Sequence, residues 1–453
     1  MVTAEMNVRH TQTTTYSPPY STRTRQLLIP SPMAWMTPSV LVVCEYIPII
    51  FASLALPAET YRLLWFEPKY ITLDTTLLNL AVCISFIFGF LLPTVLSRKK
   101  PRSALNTLNV SPRTLAMLYR CFWIAIYLTF FGYLLFYVTA IAKGFNPAMV
   151  LAMLSGQKGL VYEIKTYYFA TIPGVTTCTQ FGVAAVLIGT LLGHLDGWKR
   201  VKWLIILTLI LTLVRAVVLS ERLALIEVAV PSAMLAAFLQ RPRLRSRWGR
   251  SMLTWGPATA PFVLYLFFTI AEYFRSWSNF YVNKGASIWE FSFARLLGYY
   301  ATSLNNSAFR YSVIDPPSLP YYTLEWFWYF PGIGDLLGLR EQGKELERVW
   351  MSRLRAEVNP EFNNEGGMYL PLVDYGVFGG LLWWFVIGII GYYLHRRFCE
   401  GRMLGLLLFP VFFLGLLEGP RILYWTNGRA FPHICYLLIV IFLATRRTSA
   451  ART

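Results

Sequence analysis

Two arginines in a strongly apolar part of the chain are the first candidates for binding chemistry. Arg215 lies inside the apolar run 213–217, and Arg222 follows after a short polar interruption. A cation within a membrane span is costly, so it normally faces an ion-pair partner, a water-filled cavity or a substrate. Guanidinium groups bind phosphate oxygens in pairs, which would suit an anion such as a lipid-linked pyrophosphate. The alternatives are extension of the side chains to the membrane surface and pairing with Glu221 or Glu227.

Polar and aromatic side chains that suit sugar recognition come next along the chain. Glu272 and Arg275 are spaced either to form an ion pair on a helix or to bind a ligand. The run 299–306 contributes Tyr299, Tyr300 and Asn305. Aromatic faces stack on the apolar side of sugar rings, while amides bind sugar hydroxyl groups. An aromatic belt at the membrane surface is the alternative explanation of this composition.

The most distinctive polar run, residues 359–380, leads into an apolar segment. Its candidate functional side chains are Glu361, Asn363, Asn364, Glu365 and Asp374. Asp374 is expected near a helix N-terminus, where a negative charge is favoured, so a structural role competes with a catalytic one. The glycines that follow Asp374 allow close packing of helices.

A further polar group lies between the last two apolar segments. Its members are Glu418, Arg421, Asn427, Arg429 and His433. We expect this group on the same side of the membrane as the run 359–369, so both would line one cavity.

Composition explains why these polar residues stand out. Of 453 residues, 56% are hydrophobic and only 14% are charged, and the mean hydropathy is +0.48. Soluble domains carry about 25% charged residues, so much of this surface is expected to face lipid, where helices satisfy their own backbone groups.

The net charge of +18 comes from short basic clusters between apolar runs, which indicates membrane orientation and not nucleic-acid binding. The six cysteines show no CxxC spacing, so the sequence predicts neither a disulfide framework nor a metal site.

The apolar runs predict an all-α polytopic membrane protein with about ten transmembrane helices. The predicted spans are Val40–Leu56, Thr75–Leu96, Leu115–Ala142, Thr171–Leu192, Val201–Leu219, Leu223–Leu239, Pro257–Phe274, Leu370–Leu394, Met403–Leu417 and Ala430–Ala444. The predicted divisions are a tail without fixed structure at 1–36, membrane domains at 37–274 and 370–445, a large loop at 275–369 between spans seven and eight, and a tail at 446–453. Within the loop, Ile288–Tyr300 is expected to form a helix at the membrane surface and Asp335–Glu357 a second helix.

Basic clusters predict the orientation of the chain. They occur at 98–102, 198–200, 241–247, 395–397 and 446–447, each after an even-numbered span. Because basic loops stay in the cytoplasm, both termini are expected there and the loop 275–369 outside. The polar groups described above then gather at the outer face, and the multi-pass chain fits a bacterial inner membrane.

At this point the chain resembles the Wzy-type polymerases of oligosaccharide repeat units, which build O-antigen and exopolysaccharide. The likeness covers roughly residues 75–444. It is carried by Ser220-Glu221-Arg222-Leu223-Ala224-Leu225, by the tyrosine-rich stretch Tyr299–Asn306, and by the run Asn359–Gly380 with its Asp-Tyr-Gly-x-x-Gly ending. Glu221 stands where a small residue is more usual in the family.

The resemblance implies a membrane-embedded glycosyltransferase with a polyprenyl-diphosphate donor, no cofactor and no metal. Arg215 and Arg222 would hold the departing diphosphate, helped by Arg275. Glu361 or Glu365 would deprotonate the acceptor hydroxyl, with Asp374 and His433 as rivals. The substrate would be a lipid-linked oligosaccharide in the bilayer, and a chain-length regulator and a flippase would be partners. A ligase that transfers finished glycan from the same donor, a flippase or exporter of lipid-linked glycan, and a structural component of an assembly remain alternatives.

Overall fold

A computed structural model describes residues 25–29, 33–96, 106–155, 157, 160–170, 172, 174–219, 221–241, 246–273, 277, 281, 287–330 and 332–449. The helices are α1 (Pro38–Leu41), α2 (Ile47–Ala55), α3 (Ala58–Trp65), α4 (Leu73–Leu96), α5 (Pro112–Ala142), α6 (Ala148–Leu154), α7 (Leu160–Glu163), α8 (Val175–Thr179), α9 (Phe181–Asp196), α10 (Lys202–Val218), α11 (Arg222–Gln240), α12 (Arg247–Trp255), α13 (Ala260–Glu272), α14 (Ile288–Val313), α15 (Glu325–Trp328), α16 (Ile333–Leu336), α17 (Leu339–Glu357), α18 (Leu370–Cys399), α19 (Met403–Leu417) and α20 (Phe431–Ser449). A π-helical turn, Val42–Tyr46, joins α1 to α2.

The protein is a helical membrane protein. Among the described residues, seven helical stretches are long and apolar enough to cross a bilayer, namely Pro38–Ala55, Leu73–Leu96, Pro112–Ala142, Val175–Asp196, Leu223–Gln240, Arg247–Glu272 and Leu370–Cys399. Many large apolar side chains on these helices face outward, such as Phe378 on α18, which is 90% exposed. Outward apolar side chains account for the low share of charged residues, because they form the surface that contacts lipid.

The remaining three predicted spans are helices of lesser length or apolarity. Helix α10 has 17 residues and α19 has 15, while the apolar part of α20 is Phe431–Thr445. Helix α9 lies at the centre of the bundle, where every residue from Gly182 to Leu195 is buried. Two of the shorter helices, α10 and α20, pack against α9, as do the longer α5 and α11.

The helix ends separate into two groups, which we call the basic end and the loop end. At the basic end, the Tyr119 hydroxyl lies 3.0 Å from an Asp196 carboxylate oxygen, and His194 Nε2 lies 3.0 Å from Gln240 Oε1. The loop end holds the opposite ends of the same helices, residues 219 and 221, and the connection 418–430. Helices of alternating direction fit the sequence pattern, in which each basic cluster follows an even-numbered predicted span.

A small sheet lies outside the helices. Strand β1 (Arg25–Ile29) pairs antiparallel with β2 (Asn106–Val110), in the register Arg25 with Val110. The sequence predicts a tail without fixed structure at 1–36, and within that range the structure describes β1 and the helical turn Ala34–Met36.

Helices α4 and α18 pack against each other more extensively than any other pair of described helices, and both begin at the loop end. A Cβ on Gly89 would overlap the Phe385 carbonyl, and one on Gly388 would overlap the Phe86 carbonyl. Small residues therefore let the two backbones touch, as is usual between membrane helices. Near its start, α18 is kinked at Gly376, whose φ of 69° favours glycine.

Residues 314–369, which we call the covering segment, lie over the loop end together with α14. Helix α14 begins at a capping box formed by Ser287 and Glu290 and continues to Val313. The predicted surface helix Ile288–Tyr300 is therefore too short, and the aromatic run 299–306 lies inside the helix instead of after it. The predicted helix Asp335–Glu357 corresponds to α17, preceded by the single turn α16.

Candidate functional site

The turn 418–430, between α19 and α20, packs against the middle of the first apolar stretch. The Tyr46 hydroxyl donates a hydrogen bond to the Leu416 carbonyl, and a Cβ on Gly419 would overlap that hydroxyl. Tyr46 is midway along the first apolar stretch, Pro38–Ala55. The 15 residues of α19 rise about 22 Å, which is less than the roughly 30 Å of a hydrocarbon core. Non-helical backbone within a hydrocarbon core is tolerated where it is enclosed by protein or lines a water-filled cavity.

Four side chains form what we call the charge cluster: Arg215, Glu221, Glu227 and Arg429. Glu221 Oε2 lies 3.3 Å from Arg215 Nη2 and 3.8 Å from Arg429 Nη1. Glu227 receives Arg429 through both oxygens, at 3.1 Å from Nε and 3.3 Å from Nη2. Two guanidinium groups from opposite parts of the chain therefore converge on one carboxylate oxygen.

Neighbouring residues fix the Arg215 guanidinium. Its Nη1 donates to Thr179 Oγ1 at 2.6 Å, and its Cζ lies 5.8 Å from the centre of the Phe136 ring. Thr179 ends α8, and Phe136 belongs to the loop-end part of α5. Arg215 thus points across the bundle from the last turn of α10, instead of toward the membrane surface.

Some buried polar atoms near the cluster have no hydrogen-bond partner within the described part of the chain. They include Arg215 Nε and the hydroxyl of Tyr424, a fully buried residue of the turn 418–430. His433 is also fully buried, and its ring centre lies 6.3 Å from that of Tyr424. Buried polar groups are normally satisfied, so these atoms have unused capacity for a partner beyond the described residues, such as solvent or a ligand.

A second ion pair lies on the same turn. Arg421 Nη1 is 3.1 Å from Glu418 Oε2. Tyr300, on α14, has Glu418 and Arg421 among its electrostatic neighbours, and burial raises the pKa of its hydroxyl. Arg421, Arg429 and Tyr300 thus lie at one end of the bundle.

The two predicted proton acceptors, Glu361 and Glu365, are held in ion pairs with arginines of α14. Glu361 Oε1 lies 2.7 Å from Arg295 Nη2, and Arg295 also pairs with Glu272 at 3.2 Å. Glu365 pairs with Arg310, whose guanidinium lies over aromatic rings of the covering segment. Both carboxylates are therefore engaged in fixing the run 359–369 to α14.

Asp374 and Asn305 also have internal partners that occupy their polar atoms. Asp374 accepts hydrogen bonds from the backbone of Tyr321, Tyr322 and Thr323 and from the Thr323 hydroxyl, at 2.7–3.1 Å. Asn305 accepts from the Tyr70 and Ile71 backbone and donates to Glu67 and Pro68. Both predicted substrate-binding residues are structural anchors in this state of the protein.

The other predicted site residues are placed as follows. Tyr299 packs edge-on against Phe268 and Phe362, Asn363 is exposed, and the Asn364 carbonyl accepts a bond of 3.1 Å from Asn306. Arg222 begins α11, but the structure does not describe its side chain, and Arg275 lies outside the described residues. Gly367 donates to the Gly419 carbonyl at 2.9 Å, so the run 359–369 does contact the turn 418–430.

Sequence reasoning misses three buried charged residues, Glu67, Arg295 and Arg310, and the partly exposed Glu325. Burial raises the pKa of Glu67 to about 8, and burial and the nearby Glu347 raise that of Glu325 to about 7. A predicted helix that continued to Val313 would have drawn attention to Arg295 and Arg310, because each of these arginines lies among apolar residues of one helix. No group of three His, Cys, Asp or Glu side chains in the described ranges is placed to hold a metal ion.

The fold and these contacts define a multi-pass helical membrane protein with a cluster of buried charges at one end. Comparison with known proteins adds no family: no family model, no curated protein and no solved structure matches the chain.

Proposed function

We propose that the protein is a glycosyltransferase that polymerises oligosaccharide repeat units carried on a polyprenyl diphosphate. The growing glycan would leave its lipid diphosphate and join the terminal sugar of a new lipid-linked unit. The reaction would occur at the outer side of a bacterial inner membrane, with the loop end facing outward and both termini in the cytoplasm. The resemblance in the sequence to Wzy-type polymerases and the charge cluster support the proposal together.

One observation carries it: the Arg215 and Arg429 guanidiniums meet at a single carboxylate oxygen. We expect this position, beside the ends of apolar helices, to lie within the bilayer. Guanidinium forks match phosphate oxygens, and two of them can hold the two phosphates of a diphosphate. A lipid-anchored diphosphate reaches this depth without leaving the bilayer. The cluster therefore fits a lipid diphosphate better than a soluble nucleotide sugar.

The same geometry suits the chemistry of the transfer. Breaking the glycosidic bond to the diphosphate leaves negative charge on the phosphate oxygens. Fixed cations beside those oxygens stabilise that charge most as it develops in the transition state. Glu227 and Thr179 already hold the two guanidiniums in place, so little reorganisation is needed.

The covering segment supplies surfaces for the sugars next to this site. Trp326 stacks on Phe431, with ring centres 4.1 Å apart and planes inclined by 9°, two residues beyond Arg429. Aromatic rings of this kind bind the apolar faces of sugars. The acceptor glycan would then approach from the side of the covering segment.

The test uses purified protein in bilayers with a defined lipid-linked repeat unit. Wild-type protein is expected to make a ladder of polymers without nucleotide sugar. Arg215→Ala and Arg429→Ala are each expected to lower the rate by roughly 100-fold or more, the size of effect of losing one charge-stabilising donor. Arg348→Ala, on an exposed α17 pair with Glu345, is the matched control and should leave the rate unchanged.

Cells that lack the natural protein and carry each variant separate the alternatives. Loss of a polymerase leaves single repeat units on the lipid at the outer leaflet. Loss of a ligase leaves finished polymer on its lipid carrier, and loss of a flippase leaves single units at the inner leaflet. Either of the last two results, or normal polymer from both arginine variants, contradicts the proposal.

A further inference from the structure

The two acidic residues of the charge cluster are held in different ways. The Glu227 side chain is 1% exposed, projects from within α11 and contacts Arg429 through both oxygens. The Glu221 side chain is 21% exposed and uses one oxygen, Oε2, for both arginines. Glu227 is therefore a fixed counter-ion, while Glu221 is a weaker and more accessible one.

The backbone position of Glu221 leaves its side chain free to move. Glu221 precedes α11 with φ −103° and ψ 84°, and its N–H donates to the Ala216 carbonyl at 3.0 Å. A rotation of its side chain would break neither α10 nor α11. The side chain of Glu227, by contrast, cannot leave Arg429 without entering the packed interior of the bundle.

We infer that Glu221 is an internal substitute for the substrate's phosphate, which holds Arg215 and Arg429 between turnovers and is displaced when a lipid diphosphate binds. This inference rests on the proposed function and adds a specific exchange to it. Glu221 Oε2 marks the position of one phosphate oxygen. The unpartnered Nε of Arg215, more than nine-tenths buried, offers a further donor to the larger anion within the part of the chain described.

Two physical effects favour the exchange. A diphosphate carries more negative charge and more acceptor oxygens than one carboxylate, so it binds two guanidiniums more strongly. The N-terminus of the 19-residue helix α11, which the Glu221 side chain does not cap, adds N–H groups and a partial positive charge beside the same position. Displaced Glu221 can be hydrated, since its side chain is already partly exposed.

The exchange predicts that removing the Glu221 charge strengthens binding, although Glu221 contacts both arginines. Glu221→Gln cannot compete as an anion, so a polyprenyl diphosphate should bind about fivefold to tenfold more tightly, as expected for loss of one partly exposed ion pair. Product diphosphate should also leave more slowly. Turnover of the lipid-linked repeat unit should then show a lower KM together with a lower kcat.

The experiment measures binding of a fluorescent polyprenyl diphosphate to the full chain in lipid nanodiscs. Wild type, Glu221→Gln and Glu227→Gln are compared, with thermal unfolding as the test of folding. Glu227→Gln should bind more weakly, because Arg429 loses its fixed counter-ion. Glu221→Ala is the second variant at this position and should match Glu221→Gln.

Tighter binding by both Glu221 variants supports the exchange. Equal or weaker binding by these variants, while the wild type binds, overturns the exchange and leaves the proposed function standing. Absence of binding by every folded variant, including the wild type, removes both.

Discussion

Asp374 and Glu221 are both carboxylates beside the start of a long helix at the loop end, but their surroundings differ. Asp374 receives four hydrogen bonds from one short stretch of the covering segment. Glu221 shares one oxygen between two arginines at 3.3 and 3.8 Å and is partly exposed. The first arrangement satisfies the acceptor completely, and the second leaves it replaceable by another anion.

A similar contrast holds between individual side chains of two regions. Asn305 of α14 and Glu365 of the covering segment have dedicated partners, although Arg310 Nε and Nη2 are buried without a hydrogen-bond partner among the described residues. In the charge cluster, Glu221 shares one oxygen between two arginines, and Arg215 Nε has no hydrogen-bond partner among the described residues. Fully paired polar groups fix structure, whereas incompletely paired ones retain capacity for a ligand. We therefore expect substitutions of Asn305, Glu365 or Asp374 to lower the free energy of unfolding, and substitutions in the charge cluster to change the affinity for a ligand.

The largest expected effect on stability is at Arg310. Arg310→Met fills a similar volume but leaves Glu365, whose side chain is 14% exposed, without a cation, which costs about 3 kcal/mol in the free energy of unfolding. Reversible unfolding in detergent measures this change. Arg348→Met, on the exposed α17 pair, is the matched control and should cost less than about 1 kcal/mol.

A double variant sharpens the interpretation of Arg310. Arg310→Met with Glu365→Gln removes both charges and should recover part of the lost stability. If the single variant is as stable as wild type, or if only polyprenyl-diphosphate binding changes, Arg310 does not belong with the anchors.

A smaller loss of stability is expected at Asp374. Asp374→Asn replaces one acceptor oxygen by an amide group that faces N–H and O–H donors, at a cost of about 2–3 kcal/mol. Hydrogen exchange should accelerate at Tyr321–Thr323, while polyprenyl-diphosphate binding stays within about twofold of wild type. Asp335→Asn, on an exposed pair with Arg340, serves as the control. Loss of diphosphate binding without loss of stability would place Asp374 in the site instead.

The smallest effect is pH-dependent and concerns Glu67, the acidic partner of Asn305. Burial raises its pKa from 4.5 to about 8 in the folded protein. Between these values the folded state binds more protons than the unfolded state, so stability falls as pH rises from about 5 to 8. Glu67→Gln should flatten this fall and raise the unfolding temperature at pH 8 by roughly 2–4 °C.

Scans at pH 5 and pH 8 check this prediction, with the exposed Glu59→Gln on α3 as the control. A wild-type unfolding temperature that rises over the same interval, or equal slopes for wild type and Glu67→Gln, would show that Glu67 is ionised in the folded protein.

The sequence predicts the membrane helices well but not the structure of α14 and the covering segment. Long apolar runs indicate α4, α5 and α18 directly, because lipid requires about 20 apolar residues in a helix. The predicted helix ends at Tyr300 because the residues that follow, among them Ser303, Asn305, Asn306 and Ser307, have the composition of a loop. Helix α14 nevertheless continues to Val313. These four side chains are completely buried and bonded to other segments or to the helix itself, so tertiary contacts override local propensity.

The site is partly predictable for a similar reason. Arg215 is found by its position in an apolar run, and its pairing with Glu221 is one of the alternatives that the sequence offers. The contact of Arg429 with Glu227 joins residues 202 positions apart, which no local pattern encodes. The anchoring roles of Asp374 and Asn305 depend equally on distant backbone groups.

The short α19 has a consequence for unwanted chemistry. Because α19 rises only about 22 Å, less than the roughly 30 Å of a hydrocarbon core, we expect the turn that follows it to lie beneath the lipid headgroups. Under the proposed function, bulk water would be scarce there, so an activated sugar on a diphosphate would meet an incoming glycan hydroxyl more often than a hydrolytic water molecule. A short helix would thus protect the lipid-linked donor from hydrolysis.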